Sequence, residues 1–554
     1  MVTRAFLTGV LLALSPLTFV DTAAGQDPPI MGTGSTGNVE RVLLRKSSTN
    51  GDLPLTLRNA IELALEGNPI LMVEKVRLEL TRQQAEEQRG NYDPVITLGD
   101  RVARRDNVVA SRFFPTGVYV DSEKSLNVGI QARTYAGGSL SLAMDYNWLE
   151  STSNVQTLSP QFGANLTFGF AQSLLRDFGR EVSTTGLRVA EKEGEIAENN
   201  LFRTVTQLIQ QVEEMYWALA FLRQDLDGKR RSLEVAEELL VQNEELFQAG
   251  RVAAVSVLQA NAGVAGREQE VITAESEVER FEDRLKSLLW LDLATTNLTP
   301  TDEPALEPAD IDERASLQTA LQVRPEIRSL ETEREQREIE LNFASNQTLP
   351  RLDLALQYTL SGLSGRPNAT CLDPTSPVCV PVGAQVGDTV FADRTGSLEA
   401  VTSLFSRNPF EGWSVELSFE IPLHNRTADA RYASARLQLL ETDTRIRAIY
   451  DQIQEEIRNA IRETQTAEKR VDAARETITF LEDQLEGMRS QLEAGLASSY
   501  DVLQVLDELD VARTTELRAV MDFNVGLSRV RLADASSLER YNIELERPPR
   551  YVFE

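Results

Sequence analysis

The chain has 554 residues, with 85 acidic side chains against 56 basic ones and a net charge of −29, which excludes a phosphate-binding surface and with it nucleic acid as a partner. One histidine and two cysteines are too few to furnish the four ligands of a structural zinc site. Beyond the N-terminal region no stretch approaches the roughly 18 consecutive apolar residues of a membrane helix, so any membrane span has to be built from strands.

At the N-terminus Arg4 precedes an apolar run from Ala5 to Val20, broken by Ser15 and Pro16 and followed by Thr22, Ala23, Ala24 and Gly25. This is the layout of a secretory signal peptide over residues 1–25; the interrupted run is too short for a membrane anchor. Residues 26–52, rich in Gly, Pro, Ser and Thr, read as a flexible leader.

The remainder reads as one unit present twice. Thr56-Leu57-Arg58-Asn59-Ala60-Ile61 leads to Asn68-Pro69, and Ser316-Leu317-Gln318-Thr319-Ala320-Leu321 leads to Arg324-Pro325, with the two prolines 256 positions apart. Pro94 and Pro350, again 256 apart, each open an alternating segment. Long helical stretches then end at Phe247-Gln248-Ala249-Gly250 and Leu492-Glu493-Ala494-Gly495, each followed by a Val-Leu-Gln triplet at Val257 and at Val502. These landmarks place a first repeat at residues 53–300, a second at 301–541 and a tail at 542–554.

Four segments alternate with the period of a strand: Leu140–Trp148, Phe162–Phe170, Leu352–Leu360 and Trp413–Ile421. Each has large apolar residues on one side and small or polar ones on the other, over the length of a tilted transmembrane strand. Ile96–Arg104 and Leu126–Arg133 show the same pattern more weakly. Alone, such strands fit a soluble sandwich as well as a membrane wall. The helices separate the two. From Glu181 to Ala249 there is no proline, and Leu201, Val205, Leu208, Val212, Tyr216 and Leu219 form an apolar stripe along on the order of 100 Å of helix. From about Thr427 to Glu493 the second half does the same, with Ile446, Ile449, Ile453, Ile457 and Ile461. Each turns at its glycine and returns, the expected pattern of coiled-coil packing.

No catalytic constellation accompanies these elements. His424, the sole histidine, has no Ser or Cys nucleophile beside it, and no phosphate loop, dinucleotide fingerprint or His-Glu-x-x-His occurs. Neither cofactor nor metal is expected. Cys371 and Cys379 lie in a loop rich in Pro, Gly and Thr, and the oxidising surroundings of an exported chain allow a local disulfide between them.

Taken with Asn91-Tyr92-Asp93-Pro94, Gln172-Ser173-Leu174-Leu175-Arg176-Asp177-Phe178-Gly179-Arg180 and Tyr216-Trp217-Ala218-Leu219, these landmarks resemble the TolC family of outer-membrane efflux factors. The resemblance implies an α+β membrane protein and a homotrimer. A shared transmembrane β-barrel in outer-membrane lipid, four strands per protomer, continues into a long α-helical coiled-coil tunnel with an equatorial collar. It implies an exit duct for efflux or type I secretion that works with a periplasmic adaptor and an inner-membrane transporter. A periplasmic coiled-coil scaffold or an efflux adaptor is the alternative, though an adaptor would carry one helical hairpin, not two.

The resemblance places a periplasmic gate at the helical tips. Asp501 matches a gate aspartate, Gln504 stands at the position of the second, and Asp507 lies one turn further on. Asp501 has an equally direct reading as a helix N-terminal residue. Gly250, Arg251, Val255, Gly495 and Ser499 match the adaptor-docking tips.

Overall fold

The computed structural model describes residues 51–110, 117–153, 156, 158–293, 296–304, 311–367, 396–405, 410–494 and 496–543. The signal peptide, most of the leader, Cys371, Cys379 and Gly495 lie outside the described residues.

Strand β1 (Gly51–Leu55) is followed by helices α1 (Leu57–Gly67) and α2 (Pro69–Gly90). The chain breaks between these helices because the residue before a proline disfavours helical ψ while the proline itself suits a first helical position. Asn68 caps α2, its Oδ1 accepting from the Ile70 amide at 2.9 Å. Four strands come next, β2 (Val95–Val108), β3 (Val118–Arg133), β4 (Gly138–Ser151) and β5 (Leu158–Ser173). A short α3 (Arg180–Ser183) leads to α4 (Thr185–Gln248), which returns through α5 (Ala254–Leu288) to β6 (Thr296–Pro300). In the second half, α6 (Glu313–Val323) and α7 (Pro325–Asn346) precede β7 (Arg351–Pro367), α8 (Ser397–Ser403) and β8 (Phe410–Glu420). The long α9 (Arg426–Glu493), its return α10 (Ser499–Ala533) and α11 (Ser537–Tyr541) complete the described chain.

With 64 and 68 residues, α4 and α9 are each about 100 Å long, as their unbroken apolar stripes predict. In each half the long helix packs along its return helix and along the helix that follows the Asn68-Pro69 or Arg324-Pro325 break. The Asn68 side chain also donates to the Leu288 carbonyl at 3.0 Å, so the end of α5 abuts the start of α2. The principal core lies along α4, where Val205, Ile209, Val212, Tyr216 and Leu219 are fully buried against Leu285, Leu289, Leu298 and the apolar side of α1. A smaller core joins Ile453, Ile457 and Ile461 of α9 to Ala320, Ile327 and Val530.

Strands β2, β3, β4, β5, β7 and β8 form, in that order, one antiparallel sheet of six strands, where the resemblance implies four. The additional pair, β2–β3, is the weakly alternating pair in the sequence. Asp100, Arg104 and Lys124 interrupt its apolar side, yet its ladder of 14 facing positions, Val95–Val108 against Gln131–Val118, is unbroken. Backbone pairing tolerates a charged side chain that reaches solvent, whereas an alternation count is spoiled by it. The register puts Ile96, Ile130, Leu142, Phe168, Tyr358 and Trp413 in one row across all six strands. The next row holds Leu98, Val128, Met144, Leu166 and Leu360 and ends at Glu411 on β8, which accepts from the Tyr358 hydroxyl at 2.6 Å. One face of the sheet is therefore an apolar band and the other is polar, with Asn127 bonded to Asp145 and the Thr167 and Thr359 hydroxyls 3.3 Å apart. Near the loop end of the apolar face α8 lies against Ala164, Phe162 and Leu360. Gly362 admits it, since a Cβ there would come within 2.1 Å of the Ala400 carbonyl oxygen.

Candidate functional site

Three places join the sheet to the helices, the two halves to each other, and the helical hairpins to their ends. At the first, the Asn91-to-Pro94 and Gln172-to-Arg180 segments meet. The Tyr92 hydroxyl donates to the Ser183 carbonyl at 2.6 Å, and its ring stacks on Tyr135 at 4.4 Å. Gln172 Nε2 and the Gly179 amide both donate to the Ala136 carbonyl, at 2.9 and 3.1 Å. Asp177, with φ of 67°, takes the sharp bend; Gln347 Nε2 donates to its carboxylate at 2.6 Å and its own amide donates to Asn346 Oδ1 at 2.8 Å. Gly137 is required here, because its φ is 86° and a Cβ would lie 2.2 Å from the Asp177 carbonyl oxygen. These contacts fix the angles at which strands β2, β5 and β7 meet helices α2, α3 and α7.

The second place is a belt midway along α4. β1 and β6 pair in parallel, Leu53 beside Leu298. The Tyr216 hydroxyl, 3.0 Å from the Leu55 carbonyl and 2.9 Å from Asp302 Oδ2, accepts from the Thr301 and Asp302 amides at 3.2 and 3.1 Å. Burial pushes this phenol up to about 12, so it stays a neutral donor. Glu213, one turn before it on α4 and 1% exposed, accepts from the Ser528 hydroxyl of α10 and the Tyr541 phenol of α11, and faces Arg531 at 3.5 Å. Arg529 binds Glu214 at 3.0 Å and Glu463 at 2.8 Å, tying the same two halves on the exposed side.

The third place is the hairpin tips. After α4 the Gly250 amide donates to the Phe247 carbonyl at 2.9 Å and the Arg251 amide to the Leu246 carbonyl at 2.9 Å, with Gly250 at φ of 69°. This left-handed C-terminal cap satisfies carbonyls that the helix end leaves free. After α9 the Leu496 amide donates to the Gln491 carbonyl at 2.8 Å, the same six-to-one bond. Behind the tips, Leu239 of α4 packs with Val502, Leu503 and Leu506 of α10, so both hairpins share one end core. Buried Arg267 of α5 donates to Ser232 at 2.9 Å and to Asp507 at 2.7 Å, while Ser232 donates to Asp510. Burial raises the Asp510 carboxyl above its usual value, opposed by the Ser232 hydroxyl and the Arg267 and Arg513 charges.

This order of strands, hairpins and belt, run through twice, can be compared with known proteins. The family model for outer membrane efflux proteins matches residues 60–289 and again residues 316–530. The chain belongs to that efflux family. Solved structures share its fold. The outer-membrane channel OprN superposes with a TM-score of 0.61 at 19% identity, over 86% of this chain and 89% of that one. The CmeC outer-membrane channel of Campylobacter jejuni superposes with 0.60 at 17% identity, over 87% and 86%. The open state of the MtrE outer-membrane channel of Neisseria gonorrhoeae superposes with 0.59 at 16% identity, over 87% and 89%. No curated protein matches the chain in sequence.

In this efflux protein the residues singled out from sequence fall at the tips, with different surroundings. Asp501 is the third residue of α10 and closes a capping box, its carboxylate accepting from the Ser498 amide at 2.8 Å and the Ser498 hydroxyl at 2.7 Å. Those bonds hold its carboxyl below the usual carboxylate range, so it is ionised at neutral pH. Gln504 reaches Glu508 at 3.3 Å, and Asp507 is taken by Arg267. Arg251 and Val255 are exposed beside Gly250, while Ser499 begins α10. Gly495 and the Cys371–Cys379 pair lie outside the described residues. Sequence reasoning missed Glu213, Ser528, Tyr541 and Arg267. One signal was present for Glu213: it lies three positions before Tyr216 and four after Ile209, on the buried stripe of α4 where a carboxylate needs a partner.

Proposed function

We propose that three copies of this chain close their sheets into one barrel in the outer membrane. The barrel continues into a helical tunnel, and the assembly is the exit duct of a tripartite efflux or type I secretion system. The observation that carries this reading is the sheet itself: one largely apolar face, one polar face, and two edge strands, β2 and β8, that pair on one side only among the described residues. In lipid such edges are untenable unless closed, and one six-stranded sheet is too narrow to close on itself around a path. Rows of large side chains left exposed on the helices, Ile70, Val73 and Leu80 on α2 and Leu437 and Leu440 on α9, offer further surface for neighbouring copies. The duct performs no chemistry; it supplies a water-filled path, and an inner-membrane transporter supplies the energy. Detergent extraction of the outer-membrane fraction should give a heat-modifiable band of trimer size, and a monomer there would sink this reading.

Asp501, Gln504 and Asp507 are proposed to line the periplasmic entrance, where three symmetry-related, ionised Asp501 carboxylates would repel anions and attract cations. Asp501→Ala is expected to reduce cation selectivity and the block by divalent cations in single-channel recordings. Unchanged recordings would leave Asp501 as a helix-capping residue alone. Gly250, Arg251, Val255, Gly495 and Ser499 are proposed as the surface that a periplasmic adaptor grips. The exposed Leu258, Leu496 and Tyr500 beside them supply apolar contact area.

A further inference from the structure

The edges of the six-stranded sheet say which strands meet between copies, and this inference rests on the trimeric reading above. We propose that β8 of one copy pairs with β2 of the next, making an eighteen-stranded wall in which the β2–β3 hairpin is a full part. Four observations point to a second copy as the occupant of both edges.

The first is direction. With an even number of antiparallel strands, β2 and β8 run oppositely, so their junction continues the antiparallel order without a break. The second is the band. The row from Ile96 to Trp413 spans both edges, and Leu98 on β2 and Val415, Leu417 and Phe419 on β8 are exposed on the same face, so joining the edges brings apolar side chains together there, with Asp100 and Arg104 of β2 among them. The third is charge. On the polar face β2 presents Arg101 and Arg105, and β8 presents Glu416 and Glu420, on opposite sides of the row that joins Ile96 to Trp413. Arg101 therefore meets Glu416 when neighbouring copies are staggered by eight positions along the strands, in the sense that the shear of a tilted barrel supplies. All four side chains are exposed, and none makes an ion pair among the described residues. Opposite charges on facing strands stabilise pairing, while like charges oppose it, so a β2–β2 or β8–β8 contact is disfavoured. The fourth is length. β2 has 14 residues and β8 has 11, both enough to cross a bilayer when tilted.

The consequence is size. At a strand spacing of about 4.8 Å and a tilt of about 40°, eighteen strands enclose a wall roughly 36 Å across at the backbone, against roughly 24 Å for the twelve strands of a four-per-protomer trimer. Walls of 16–18 strands are those that leave an open aqueous channel. The outer mouth of this duct would therefore admit bulkier hydrated cargo than a twelve-stranded one.

Charge reversal tests the pairing in the full-length protein. Glu416→Arg with Glu420→Arg, or Arg101→Glu with Arg105→Glu, should each lower the temperature at which trimers dissociate in detergent, and all four changes together should restore it. Additive loss in the quadruple variant would overturn the proposal. Cysteine pairs give a second reading, with Cys371 and Cys379 replaced by serine. Oxidation should link Gly99→Cys to one of Ser414→Cys, Glu416→Cys or Ser418→Cys as covalent trimers. Cross-linking of Ser141→Cys on β4 to those β8 positions instead would mean that the hairpin stands outside the wall, and the proposal would fall while the trimer stood. Absence of any trimer from the unmodified protein would overturn the exit-duct reading itself.

Discussion

Replacing Glu213 by alanine is expected to destabilise the protein by about 3 kcal/mol, the cost of leaving buried donors without an acceptor beside an uncompensated cation. The side chain is 1% exposed and binds Ser528 and Tyr541 from the far end of the chain, with Arg531 alongside. Ser528 is itself 1% exposed, so water does not take the place of the lost carboxylate. Arg531 is only partly buried, which keeps the figure below the upper end for a broken internal pair. Burial, with Glu213 next to it, raises the Tyr541 phenol far above its ordinary value, so Tyr541 remains a donor throughout the useful pH range. Glu213→Gln retains an acceptor oxygen and should cost about 1 kcal/mol. Denaturant unfolding of the detergent-solubilised protein followed by circular dichroism measures both. An alanine variant as stable as the parent would show that this network contributes no net stability.

Gly250→Asp should abolish export while trimers still assemble. Gly250 sits at φ of 69°, and among the described residues nothing lies within 4 Å of the place a Cβ would take. Aspartate tolerates the left-handed region better than most residues, so the turn should survive at a cost of about 1 kcal/mol. In a trimer the substitution would place three new carboxylates on the surface proposed to meet the adaptor. Burying an unpaired charge there costs a few kcal/mol, and each 1.4 kcal/mol is about tenfold in binding. Export should therefore fall by at least about tenfold. The measurement is export in cells holding the cognate adaptor and transporter, with trimer content read on semi-native gels. Gly250→Ala supplies the same backbone strain without charge. If it exports as poorly as the aspartate variant, the turn's shape and not its surface is what matters; normal export by the aspartate variant would remove Gly250 from the docking surface.

Much of this architecture was legible in the order of residues. The apolar stripe from Leu201 to Leu219 predicts a helix without a break, and α4 has none. The Asn68-Pro69 and Arg324-Pro325 steps predict helix boundaries, and α2 and α7 start at those prolines. The strong alternations at Leu140, Phe162, Leu352 and Trp413 became β4, β5, β7 and β8. Less legible were β2 and β3, whose charged residues disguise strands that backbone bonds define. The tip site was legible only as positions. That Asp501 closes a capping box follows from the local Ser498 spacing, but the Arg267–Asp507 bond joins residues 240 positions apart and no local pattern announces it.

The sequence by itself determined the periodic elements and their order, because hydrophobic period, proline steps and glycine turns act within a few residues of where they are written. The tertiary structure alone decided how many strands share one sheet, which charged residues are buried, and what each is bonded to. Those outcomes depend on which distant segments meet: Glu213 is an ordinary helical glutamate until Ser528, Arg531 and Tyr541 close over it. Likewise Arg101 and Glu416 are ordinary strand residues until a sheet register places them on the same face at opposite edges.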